Sequence, residues 1–191
     1  MKHLIVYAHP NPKSFCRAIV DKILDILEMN GDEVTVSNLY EMDFNPVLGH
    51  RDFEAIAQGT TLQDVEDEQR LVEWADQITF IYPIWWAGMP AILKGYIDRV
   101  FTYDFAYRMT EHGAEGLLTG KNVIIINTMG TPNEVYEKSG MIQALKKTSE
   151  TGIFNFCGMT VVDHVFLGSI PSSSFELRLE ILENLYKLYK R

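Results

Sequence analysis

Apolar residues occur along this chain in short runs that are separated by helical patterns. Between the runs, apolar residues recur about every fourth position, as at Phe15, Ile19, Ile23 and Leu27. Buried strands that alternate with amphipathic helices are typical of a parallel sheet covered on both faces. The pattern therefore predicts an α/β fold with a doubly wound, five-stranded parallel sheet of order 2-1-3-4-5. The predicted strands lie at residues 4–7, 34–36, 78–82, 123–126 and 160–167.

Capping residues and turn formers indicate where several elements begin and end. Ser14 is a candidate N-cap for the first helix, and Asn30-Gly31 is expected to end it. Residues 41–60 show no clear period and contain proline and glycine, so we expect a long surface loop there. One helix is expected over about residues 136–150. Because no repeat or break in composition is present, the whole chain is expected to form one domain.

Composition narrows the class of protein. Apolar residues make up 47% and charged residues 23% of the 191 residues, which argues against disorder. No apolar run approaches the ~20 residues of a membrane span, and the chain opens directly into a strand, so we expect a cytoplasmic protein. Two unpaired cysteines, Cys16 and Cys157, fit a reducing compartment. The formal charge of −9 argues against nucleic acid as a partner.

The loops that follow the first, third and fourth strands are the candidate site, because ligands bind at the carboxyl ends of such sheets. The first brings Ser14 and backbone N–H groups to a helix start. This arrangement can bind a phosphate, but it also occurs in an ordinary capped helix. The second holds Trp85 and Trp86, which either face a planar ligand or pack under neighbouring loops. The third leaves its strand at Thr128, and Gly130 permits either a ligand-binding turn or a plain one.

Several other chemistries have no support in the sequence. There is no dinucleotide or P-loop glycine motif, no H-E-x-x-H or C-x-x-C motif, and no G-x-S-x-G nucleophile elbow. The five histidines are scattered, which argues against a metal site. The three loops therefore remain the place where a function has to be sought.

Taken together, the loops resemble the NAD(P)H:quinone oxidoreductases of the DT-diaphorase and quinone-reductase type, which are flavodoxin-like flavoproteins. The resemblance covers nearly the whole chain. It is carried by AHPNPKSF at residues 8–15, by PIWW followed by MPAILKG at residues 83–95, by RVF at 99–101, by FAY at 105–107 and by GLLTGK at 116–121.

The resemblance implies roles for individual residues. Tyr136 would assist catalysis near the flavin carbonyl edge, and Tyr107 and Met109 would line the substrate pocket. Two positions depart from the pattern: Cys16 replaces an asparagine, and Ile142 replaces a histidine that assists the tyrosine. The implied flavin contacts are His9, Ser14, Phe15, Cys16, Ile84, Trp85, Trp86, Ala87, Thr128, Met129, Gly130, Thr131, Tyr136 and Arg178.

The family's chemistry is two-electron hydride transfer of ping-pong type, from NADH or NADPH to a quinone-like acceptor or an azo or nitroaromatic compound. The resemblance favours FAD over FMN, because residues 43–47 and Arg178 match features of FAD-binding members. It also implies a homodimer. Two alternatives stay open at this point: a flavodoxin-like electron carrier, and a regulatory subunit of an ion-efflux system.

Overall fold

The computed structural model describes residues 1–190, and it contains one five-stranded parallel sheet. The strand order is β2-β1-β3-β6-β7, which is the predicted 2-1-3-4-5 order of a flavodoxin-like sheet. A short antiparallel hairpin, β4-β5, was not predicted and lies outside this sheet. The strands are β1 (Lys2–Tyr7), β2 (Glu33–Asn38), β3 (Gln77–Pro83), β4 (Tyr107–Thr110), β5 (Gly113–Gly116), β6 (Asn122–Thr128) and β7 (Thr160–Leu167).

Helices follow most strands, and a π-helical segment, Lys147–Asn155, and two short 3₁₀ helices, Ile170–Ser172 and Leu185–Tyr189, complete the chain. No helix within residues 1–190 has the length and apolar content needed to cross a bilayer. The α-helices are α1 (Phe15–Met29), α2 (His50–Ala57), α3 (Gln63–Trp74), α4 (Ala91–Val100), α5 (Asn133–Lys138), α6 (Met141–Lys146) and α7 (Phe175–Asn184).

The core is divided by the sheet into two apolar layers, because neighbouring strand residues point to opposite faces. Leu4 packs in the layer that includes α3 and α4, while Ile5 packs in the layer that includes α1. The central strands β1, β3 and β6 are almost entirely buried, as continuous apolar runs predict. The edge strands β2 and β7 are partly exposed, because each pairs with another strand of the sheet on one side only.

The first helix begins and ends where the sequence predicts. Ser14 is its N-cap, and the hydroxyl oxygen accepts a hydrogen bond from the backbone N–H of Arg17 at 3.2 Å. Asn30 is the C-cap, and Gly31 follows with a left-handed φ of 73° that glycine adopts without steric cost. This helix therefore has a fixed start directly after the β1 loop.

Two predicted segments differ in the structure. Residues 41–60 are not wholly a loop, because α2 forms within them and Asp52 accepts the Gly49 N–H at 2.9 Å. The helix expected over residues 136–150 is interrupted, because Gly140 adopts a left-handed φ of 75° that separates α5 from α6. Hydrophobic periodicity reveals neither the hydrogen bond between Gly49 and Asp52 nor the left-handed backbone of Gly140.

Arg99 of α4 fixes the segment that contains α2. Its guanidinium group is buried and donates to Asp52 at 2.8 Å, to Asp64 at 2.6 Å and to the backbone oxygen of Asn45 at 2.9 Å. The same guanidinium holds the pKa of the Asp64 carboxyl below its usual range. Asp52 is buried as well, so loss of its ion pair with Arg99 would leave an unpaired charge inside the segment that contains α2.

We expect Arg99→Met to lower the free energy of unfolding by about 3–5 kcal/mol, because it leaves the buried Asp52 carboxylate without its cation. Urea unfolding monitored by circular dichroism measures this. The matched control is Arg70→Met, which removes an exposed pair with Glu66 and should cost about 0.5 kcal/mol or less. The stabilisation that the ion pair of Arg99 with Asp64 contributes is fully present above the ordinary aspartate pKa. It is lost as the pH falls through the lowered pKa of Asp64. Equal losses in both variants would contradict the role of Arg99.

Candidate active site

A cleft of about 380 Å³ lies at the carboxyl edge of the sheet, where the strand order reverses. Most of the predicted site residues meet there, and four further lining residues, Asn11, Pro83, Ile170 and Pro171, were not predicted. Ile170 and Pro171 belong to the loop after β7, which the sequence reasoning left out. The predicted residues that line the cleft are His9, Ser14, Phe15, Cys16, Ile84, Trp85, Thr128, Met129, Gly130 and Arg178.

The β1 loop supplies hydrogen-bond donors to the cleft. Ser14 Oγ lies 3.2 Å from the hydroxyl of Tyr7 and caps α1. Phe15 and Cys16 form the first turn of α1, where backbone N–H groups have no intrahelical acceptor. Unpaired donors at the start of a 15-residue helix favour an anion such as a phosphate.

His9 is held in one orientation by its neighbours. Its Nδ1 accepts the backbone N–H of Asn11 at 3.0 Å, so the proton of the neutral ring is on Nε2. Partial burial lowers the pKa of His9. The ring meets Trp85 edge-on with 5.8 Å between centroids, which joins the β1 loop to the β3 loop. His9 therefore gives the cleft a neutral donor.

Cys16 and Thr128 form the inner wall of the cleft. The Cys16 thiol is buried and its sulfur lies 3.1 Å from Thr128 Oγ1. Burial raises the pKa of this thiol to about 11, so it is neutral at physiological pH and not a reactive thiolate. Cys16 consequently contributes packing and a weak hydrogen bond to this wall.

The β3 loop forms a two-residue turn with an unusual backbone. Trp85 and Gly88 exchange both backbone hydrogen bonds, at 3.0 and 3.1 Å. Between them, Trp86 and Ala87 have φ values of 49° and 56°, in the left-handed region that non-glycine residues seldom adopt. Such a conformation costs about 1–2 kcal/mol per residue, so other interactions of this loop hold it in place. The turn directs the side chain of Trp86 fully into solvent.

The lining of the cleft also carries a positive charge. Arg178 of α7 donates to the backbone oxygen of Ile170 and to Ser173 Oγ, both at 2.8 Å. These bonds fix its guanidinium at the β7 loop, so it is a positioned cation and not a freely moving surface charge. Met129, on the β6 loop, donates its N–H to Leu167 at 2.9 Å, while the N–H groups of Gly130 and Thr131 have no protein acceptor in the described chain.

The remaining predicted residues lie outside the cleft lining. Ala87 faces a neighbouring cavity behind the β3 loop, and Trp86 is fully exposed. Thr131 and Tyr136 lie further along the β6 loop and in α5, and Tyr136 is half-buried. Tyr107 and Met109 are in the β4-β5 hairpin and do not line the cleft of their own chain. Within residues 1–190, no three potential ligands cluster as a metal site.

The chain matches known proteins over nearly its whole length. A family model described as Flavodoxin-like fold matches residues 1–187. A Haemophilus influenzae protein named uncharacterized NAD(P)H oxidoreductase is 39% identical over 184 residues, covering 96% of this chain and 91% of that protein. Human ribosyldihydronicotinamide dehydrogenase (quinone) is 35% identical over 181 residues, covering 84% and 78%. The structure of NAD(P)H:quinone oxidoreductase from Methanothermobacter marburgensis superposes with a TM-score of 0.85 at 28% identity, covering 100% and 96%.

Proposed function

The chain belongs to the flavodoxin-like family, and we propose that it is a flavin-dependent oxidoreductase that uses NADH or NADPH to reduce quinones or similar acceptors. One observation carries this proposal. The cleft at the sheet's switch point combines unpaired N–H groups at the start of α1, an aromatic wall and a positioned arginine. Two of the relatives described above carry quinone in their names, and two carry NAD(P)H.

The residues of the cleft fit a flavin. The N–H groups of Phe15 and Cys16 and the Ser14 cap suit a phosphate. The N–H groups of Gly130 and of Thr131, which follows the lining residues on the same loop, suit the oxygen-rich edge of the ring system. Trp85 supplies apolar area for a planar ring. A bound flavin would accept a hydride from the dihydronicotinamide and pass it to the acceptor. The protein would orient these molecules and exclude water.

We propose FAD as the flavin, with FMN as the alternative. FAD carries a second phosphate and an adenosine that FMN lacks. The fold brings Arg178 into the same cleft as Ser14, although the two residues are far apart in the sequence. Its guanidinium is oriented by Ile170 and Ser173. A cation fixed in this way suits a second phosphate or the adenosine end better than a solvated helix charge would.

The enzymatic proposal predicts a visible flavin spectrum and oxidation of NADH or NADPH that depends on added menadione. Steady-state oxidation at 340 nm measures the activity, and chromatography of the heat-released cofactor distinguishes FAD from FMN. Arg178→Met should weaken flavin retention, whereas Arg70→Met, which removes an exposed pair with Glu66 in α3, should not. A protein that binds flavin but does not oxidise NAD(P)H in the presence of menadione would be an electron carrier or a regulatory subunit.

We also propose a homodimer in which each chain completes the other's site. Tyr107 packs against Tyr103 and Phe156, at 5.8 and 5.1 Å between ring centroids, and this group is partly exposed beside Met109. Exposed apolar side chains that lie next to one another, rather than singly, favour an interface. Because Tyr107 and Met109 do not line their own cleft, a substrate role for them requires a second copy. Analytical ultracentrifugation measures the oligomeric state.

Tyr136 is proposed to assist catalysis without being indispensable. It lies in α5, directly after the β6 loop, but Ile142 stands where the family pattern has a histidine partner. A fully used hydrogen-bond donor to developing charge contributes about 10²-fold or more, so we expect Tyr136→Phe to lose less than this. Stopped-flow reduction by NADPH measures the loss, and Tyr186→Phe, an exposed tyrosine near the C-terminus, is the matched control. A variant as slow as the protein-free reaction would contradict the partial role.

A further inference from the structure

Tyr7 is the last residue of β1, and its side chain reaches the N-cap of α1 from inside the core. It is almost completely buried and does not line the cleft. Its hydroxyl oxygen lies 3.2 Å from Ser14 Oγ, and Ser14 does line the cleft. The buried tyrosine is therefore placed to act on a ligand only through the serine hydroxyl.

The hydrogen bonds of Ser14 leave two arrangements for this contact. A hydroxyl group has one proton to donate and two lone pairs that accept. One lone pair of Ser14 Oγ accepts the backbone N–H of Arg17 at 3.2 Å. Either Tyr7 donates to the second lone pair, or Ser14 donates its proton to Tyr7. Ser14 presents a proton to the cleft in the first arrangement and a lone pair in the second.

The burial of Tyr7 favours the arrangement in which it donates. Within residues 1–190, Ser14 is the one hydrogen-bond partner of the Tyr7 hydroxyl. If Tyr7 accepted from Ser14, its own proton would be buried without an acceptor, which is costly. Burial also raises the pKa of Tyr7, so the hydroxyl keeps its proton at physiological pH. The Ser14 proton is then left without a buried acceptor and faces the cleft.

The direction of the Ser14 proton matters for an anionic ligand. The oxygens of an ionised phosphate are hydrogen-bond acceptors, so a lone pair on Ser14 would repel them and a proton would attract them. A hydrogen bond to an ionised group is about twice as strong as one between neutral groups. The first turn of α1 favours an anion at the same place through its backbone N–H groups.

We propose that Tyr7 is a positioning residue that turns the Ser14 hydroxyl proton toward the phosphate of the bound flavin. It would do so by donating to the second lone pair of Ser14, without touching the ligand itself. The inference rests on the proposed function for the presence of a flavin. The family resemblance gives Ser14 a flavin contact and gives Tyr7 none, so the assignment of Tyr7 comes from the hydrogen bonds alone.

The test compares FMN with riboflavin, which has the same ring system and no phosphate. Protein loaded with either flavin is diluted, and the fluorescence of the released flavin gives the dissociation constant. Tyr7→Phe removes the hydroxyl and keeps the ring in the core. It should weaken FMN binding about three- to tenfold, the range for one hydrogen bond, and leave riboflavin binding within about twofold.

Tyr189→Phe is the matched control. Tyr189 is also a buried tyrosine, and its hydroxyl lies 2.9 Å from a single hydroxyl partner, Thr79 Oγ1, outside the cleft lining. Its affinity for FMN should stay within about twofold. Ser14→Ala should weaken FMN binding about tenfold or more, because the bond it removes is charge-assisted. Adding Tyr7→Phe to Ser14→Ala should cause no further loss, since Tyr7 acts only through Ser14.

Three results would overturn the role of Tyr7 and leave the proposed function intact. They are an unchanged FMN affinity in Tyr7→Phe, an equal loss of FMN and riboflavin affinity, and a loss that persists when Ser14 is already alanine. The second of these would indicate a general disturbance of the core. If the unmodified protein binds neither flavin, the proposed function itself is wrong, and the role of Tyr7 is withdrawn with it.

Discussion

The near-complete burial of β1, β3 and β6 is the constraint from which the rest of the structure follows. A strand that packs against apolar side chains on both faces has no room for polar chemistry along its length. Polar and charged functional groups are therefore confined to the loops at the strand ends. In a parallel sheet the carboxyl ends of all strands reach the same edge, and the reversal of strand order separates the loops enough to leave a cleft. His9, Trp85 and Gly130 meet there for this reason, although they are far apart in the sequence.

The central architecture was predictable because it depends on hydrophobic periodicity alone. The five strands and their order follow from apolar runs, and both ends of α1 follow from Ser14 and Asn30-Gly31. Helix α2 was not predictable in this way, since its position depends on the contact between Asp52 and Arg99, which are 47 residues apart. The break between α5 and α6 depends on the backbone conformation of Gly140, and a single glycine is also compatible with a continuous helix.

The same distinction applies to the candidate site. Ten of the predicted flavin contacts line the cleft. Nine of them belong to the loops after the first, third and fourth strands, and the tenth is Arg178 of α7. Ile170 and Pro171 were missed because the loop after the edge strand β7 was not among the loops expected to form the site. The serines at residues 172–174, directly after them, do signal a turn and a helix cap. Arg178 was placed by resemblance, and the structure adds the physical reason for its position, namely its bonds to Ile170 and Ser173.

The left-handed backbone at Trp86 and Ala87 connects these observations. Strain persists only where the surrounding structure over-determines it, and here the turn is closed by two hydrogen bonds between Trp85 and Gly88. One side of the loop faces the cleft through Trp85, and the other faces the neighbouring cavity through Ala87 and Gly88. A two-residue turn of ordinary hand would splay the segments that flank it, and these segments line both spaces. The strained turn is therefore best understood as the partition that keeps the cleft and the neighbouring cavity apart on one sheet edge.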